Sequence, residues 1–213
     1  RQLERVEQHA GAADPARRRT MSKTRLRRRI SSGFALAAAL FAAPFLSAQA
    51  QQQHAHVHGQ LKLDVAIDGP TVVIDMESPL DNIVGFERAP KTDAEKKTAE
   101  DAIAHLRAAD KLFAIDPAAN CKLGPVELRS SALGLGNPEP GEPAGHADLD
   151  ATFSFNCTNA AAAKFIDVNL FSAFKGTRQI DSQIASAQGQ FKRQLKRPAG
   201  AQATQPVRLT WGK

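Results

Sequence analysis

LKLDVAIDGPTVVIDMES, residues 61–78, decides the fold class. Its first eight residues alternate. Leu61, Leu63, Val65 and Ile67 fall on one side of an extended chain; Lys62, Asp64, Ala66 and Asp68 fall on the other. A period of two is that of a half-buried strand. Asp68-Gly69-Pro70 is turn chemistry, and TVVIDMES, 71–78, reads as a second strand. The stretch therefore predicts a hairpin ended by Pro79.

Downstream, LDNIVGFERAPK reads as a loop with buried apolar anchors. Thr92 opens T-D-A-E, a capping box with Glu95. The spacing predicts a helix to about Ala109, with Ala102, Ile103, Leu106, Ala109 and Phe113 as its inward stripe and His105 outside it. CKLGPVELRSSAL, 121–133, contains a third strand, and GLGNPEPGEPAG, 134–145, is a Gly/Pro-rich loop. HADLDATFSFNC, 146–157, alternates again, with Leu149, Ala151, Phe153, Phe155 and Cys157 on the core side. AAAAKFIDVNLFSAF, 160–174, reads either as a helix or as a helical turn followed by a strand. Further strands are expected near Gln179–Ser186, Phe191–Leu195 and Val207–Trp211. The pattern is α+β: antiparallel sheets with one main amphipathic helix, in a single domain.

Upstream, the composition changes. The chain of 213 residues carries a formal charge of +6. Residues 1–50 hold ten Lys/Arg against three Asp/Glu, whereas residues 51–213 hold 18 against 19. The basicity belongs to the first quarter, and the rest has no electrostatic reason to bind nucleic acid. Met21 begins a basic stretch, MSKTRLRRR. An apolar run follows at 34–46, then SAQA, with Ala48 and Ala50 placed for cleavage after Ala50. That order is a secretory signal peptide over 21–50. Thirteen apolar residues reach about 20 Å, short of roughly 30 Å of hydrocarbon, so no membrane span is expected. Residues 1–20 read as an upstream extension from a misplaced start. The expected mature domain is 51–213, exported to the periplasm.

Cys121 and Cys157 are the only cysteines. An even pair in an exported chain reads as a disulfide, and no C-x-x-C spacing suggests zinc thiolates.

Three of the six histidines, His54, His56 and His58, stand at alternate positions just ahead of the first strand. Continuing its alternation puts all three imidazoles on the polar side. Neutral imidazole is a good ligand for zinc, copper or nickel. Three donors leave a tetrahedral zinc one short. His146, Asp148 and Asp150, on the polar side of another strand, offer nitrogen and oxygen donors in the same alternating arrangement. Asp75 and Glu77 read as ordinary surface.

A histidine-bearing end running into a strand, then ESPLDNIVGFERAPKTDAEKK, CKL, HADLDATFSFNC and DVNLFSAF, resembles the ZrgA family of periplasmic zinc-uptake proteins. ESPLDNIVGFERAPKT is the most specific of these stretches. The resemblance implies a periplasmic protein that binds Zn2+ as cargo, without catalysis, and serves its import with an ABC-type zinc importer as partner. It implies metal binding at His54, His56, His58, His146 and Asp148. Family members often carry a His/Asp/Glu-rich loop ahead of the HAD motif. Here GNPEPGEPAG holds two Glu and no His, which implies fewer metal ions. Two alternatives stay open: an exported metalloenzyme of copper/zinc type, suggested by HVHG, and a structural envelope protein. No H-E-x-x-H, nucleophile elbow or phosphate loop supports catalysis.

Overall fold

The alternating stretch forms the two strands it predicts, β1 (Gln60–Asp68) and β2 (Thr71–Pro79), in a computed structural model that describes residues 57–137 and 147–212. They pair antiparallel with Val65 opposite Ile74. Leu61, Leu63, Val65, Val72, Ile74 and Met76 are buried, as the parity requires. The chain continues through three helices, α1 (Leu80–Val84), α2 (Asp93–Arg107) and α3 (Ala109–Leu112), to β3 (Phe113–Ile115) and β4 (Cys121–Arg129). Next come β5 (Asp148–Cys157), β6 (Phe165–Val168) and a short α4 (Leu170–Ala173). A hairpin, β7 (Gln179–Ser186) with β8 (Gly189–Lys196), and β9 (Val207–Thr210) complete it. The described residues all fall in one compact unit, and no described helix is long and apolar enough to cross a membrane.

Among the described residues the strands form two sheets. One runs β4-β5-β2-β1-β7-β8 and the other β3-β6-β9. The small sheet covers the apolar face of the large one. Phe113 of β3 stands with its ring centroid 5.1 Å from that of Phe153 on β5, and both are buried. Leu106 of α2 and Leu170, Phe171 and Phe174 around α4 join the same core. The other face of the large sheet is polar: Lys62 pairs with Glu77 at 3.0 Å, and the Thr152 hydroxyl donates to Asp75 at 2.6 Å. Both acids are thus occupied by surface partners.

The secondary structure and sheet pairing depart from the sequence reading in three places. First, the large sheet is mixed, because β1 and β7 pair in parallel. Parallel neighbours need a long connection, and the whole excursion from β2 to α4 supplies it. Second, the main helix ends at Arg107. Ala108 sits at φ −90°, ψ 50° and donates to both Ala104 O and His105 O, so the chain breaks and Phe113 becomes a strand residue. Neither Gly nor Pro marks that break. Third, LDNIV, expected as loop, is α1. The capping box itself is present: the Thr92 hydroxyl accepts from Glu95 N–H, and the Glu95 carboxylate accepts from Thr92 N–H. The 160–174 stretch takes its second option, with a 3-10 turn at Ala160–Ala162 preceding β6.

Cys121 and Cys157 face each other across β4 and β5, 3.9 Å apart at Cα, and form the expected disulfide. Cys157 is buried on the core side.

Candidate metal centre

The chain enters β1 through a turn. Gln60 N–H donates to Val57 O at 2.9 Å, and Gly59 between them has φ +87°. That left-handed conformation suits glycine, since a Cβ costs energy there. The turn ends the alternation at Gln60, so His58 does not continue the polar row of β1. Its ring crosses instead to α1. His58 Nδ1 hydrogen-bonds Asp81 Oδ2, and Nε2 lies 3.7 Å from Glu87 Oε1. One donor atom from each of the three residues lies within 4.8 Å of the others.

Each donor is placed by its local chain. Asp81 occupies the first turn of α1, whose last turn closes when Gly85, at φ +84°, donates its N–H to Asp81 O. The chain leaves that cap towards Glu87, two residues on. The next residue, Arg88, holds both carboxylate oxygens of Glu95 at 2.6 and 3.0 Å. Glu95 also accepts from Lys91 N–H at 2.7 Å, which straps the segment after Glu87 to α2.

The electrostatics favour a cation. The hydrogen bond to Asp81, then the charges of Asp81 and Glu87, raise the pKa of His58 above its ordinary 6.5, and Arg178 opposes them weakly. Two carboxylates thus face one imidazole. Asp81 Oδ1 is buried and has no hydrogen-bond partner among the described residues. An unpaired carboxylate lone pair out of water calls for positive charge nearby. A donor set of one imidazole nitrogen and carboxylate oxygens is compatible with zinc and offers no sulfur of the kind Cu(I) prefers.

Of the residues singled out from sequence, His54, His56 and His146 lie outside the described residues. Asp148 opens β5 opposite Pro79, and Leu80 N–H donates to Ala147 O at 2.7 Å. The start of β5, the end of β2 and the start of β1 therefore share one end of the large sheet. Of the two clusters recognised in the sequence, the described His58 precedes β1 and the described Asp148 opens β5 at that end. Asp150 stands in register between Glu77 and Arg129 on the polar face. His105 is exposed on α2 and outside the cluster. Asp81 and Glu87 escaped the sequence reading. They sit inside ESPLDNIVGFERAPKT, where a helical turn after Pro79 would have signalled that an acid follows the strand end.

A small sheet-rich domain, stapled by one disulfide and gathering imidazole and carboxylate donors at one sheet end, is the class these features define. The model of the ZrgA family, described as a zinc uptake protein family, matches residues 55–203, and the chain belongs to that family. A zinc-related role follows from this membership. No curated protein matches the chain.

Proposed function

We propose that this chain captures zinc in the periplasm, after export directed by residues 21–50, and delivers it without catalysis to an ABC-type importer. Zinc is cargo in this reading. The observation that carries it is the convergence of His58, Asp81 and Glu87 at the sheet end where β5 begins. Tetrahedral zinc with bonds of about 2.0–2.2 Å holds neighbouring donors roughly 3.3–3.6 Å apart. The 3.7 Å between His58 Nε2 and Glu87 Oε1 nearly matches that separation. The direct hydrogen bond from Nδ1 to Asp81 leaves no such room. Zinc accordingly sits between Nε2 and Glu87, while Asp81 on the far nitrogen fixes the ring and its tautomer. Two of His54, His56, His146 and Asp148 supply the remaining donors of a tetrahedral ion.

Calorimetric zinc titration tests this. The His58→Ala, Glu87→Gln double variant should lose tight binding, and joint replacement of His54, His56 and His58 by Ala should abolish it. Unchanged affinity and stoichiometry in both would place the metal elsewhere. Cell fractionation, with mass spectrometry showing a chain that starts at Gln51, tests export; protein retaining Met21 would refute it.

A further inference from the structure

We infer that Asn82 is the positioning residue of the metal centre: it ties the backbone beside His58 to the helix that carries Asp81. This inference rests on the zinc site proposed above. Asn82 is 1% exposed. Its Oδ1 accepts from Gly59 N–H at 2.6 Å, and its Nδ2 donates to Gln60 O at 2.7 Å. One side chain thereby grips both residues that follow His58. Its own backbone follows Asp81 directly, so His58 and Asp81, 23 positions apart in the chain, are linked through a single buried amide. Nδ2 also lies 3.3 Å from Ser78 Oγ, at the end of β2.

The asparagine amide meets both demands of this position. The grip needs a donor and an acceptor on one short side chain; aspartate lacks the donor and an apolar residue lacks both. Loss of either leaves a backbone group unpaired in a place shielded from water. The surroundings leave Asn82 little room to move. A Cβ on Gly176 would come within 2.6 Å of Asn82 O and 2.7 Å of its Cα, so the loop before β7 lies directly on it. On the other side, Gly59 O accepts from Arg178 and Gln179 N–H at 2.8 and 2.9 Å. Gly59 is thus held on both its N–H and its C=O before any metal arrives. None of these contacts involves a proposed zinc ligand. Asn82 acts by fixing where the His58 ring originates relative to Asp81.

The experiment measures zinc affinity on the full chain by competition with a chromophoric chelator, for the parent, Asn82→Ala, His58→Ala and the double variant. Asn82→Ala should weaken zinc at least about tenfold, the range seen when outer partners of ligands are removed. In the His58→Ala background the same change should cost less than about twofold, because its effect passes through His58. Equal losses in both backgrounds, or parent affinity in Asn82→Ala, would overturn the inference. If His58→Ala alone binds like the parent, the zinc site itself falls, and this inference with it. Should Asn82→Ala not fold, amide exchange of the zinc-free parent decides. Gly59 N–H should exchange at least about 100-fold slower than a free chain, and free-chain exchange there would overturn the inference.

Discussion

Replacing Cys121 and Cys157 together with Ala should lower stability by about 4 kcal/mol and leave zinc affinity almost untouched. The disulfide closes a sequence separation of 36 residues. On the chain-entropy account, releasing a loop of that length returns about 13 cal/mol/K to the unfolded ensemble, or about 4 kcal/mol at room temperature. The bond sits where β5 ends, whereas the proposed metal centre sits where β5 begins. Nine strand steps of about 3.4 Å separate Asp148 from Cys157, roughly 30 Å. Perturbations that far apart combine to within about 0.3–0.5 kcal/mol, so zinc affinity should change by no more than about twofold. Urea unfolding followed by tryptophan fluorescence reads the first quantity, since Trp211 is buried. With a slope of about 2 kcal/mol/M, the midpoint should fall by about 2 M. A stability loss below about 1 kcal/mol would refute the loop-closure argument. A loss of zinc affinity beyond about tenfold in the folded variant would refute the independence of the two sheet ends.

Stability should fall in acid partly through Glu95. Arg88, followed by the amides of Lys91 and Thr92, holds its carboxyl at about 2. That contribution is full above the ordinary value of 4.5 and is lost as pH drops towards 2, so Glu95→Gln should show a flatter stability profile over that window. In the zinc-free protein, NMR titration should place the His58 midpoint above 6.5, and Asp81→Asn should bring it down. Its stabilising contribution is present below 6.5 and fades as pH rises through the raised value, whereas zinc, which needs the deprotonated ring, should bind more tightly over the same rise. Glu87→Gln should remove a ligand and alter the visible spectrum of the cobalt-substituted protein. Asp81→Asn should keep the ligand set and weaken the metal by about 10–100-fold; identical spectra for Glu87→Gln and the parent would refute the assignment of Glu87 as ligand.

The long strands were legible where one face is dry. Parity along Leu61–Ile67 and Leu149–Cys157 followed directly from burial on one side of the large sheet, and the disulfide followed from parity and context. The parallel pairing of β1 with β7 was not legible, since alternation says which face is buried and nothing about which neighbour lies alongside. The break at Ala108 was hidden for a related reason. Leu106, Ala109 and Phe113 remain apolar and buried on either side of it, so the helical stripe reads continuously through a kink that only the backbone records. At the proposed metal centre the histidines stand out by type and spacing, but the strand parity of β1 does not extend to His58, the one of the three among the described residues. Gly59 was the available sign. A glycine between a histidine run and a strand permits the left-handed turn that swings His58 off the sheet and towards α1. Once the ring leaves the sheet, its partners must come from whatever chain segment lies beyond the strand ends, and Asp81 and Glu87 occupy that segment. Donor type is therefore readable from sequence, whereas donor pairing depends on the turn between them.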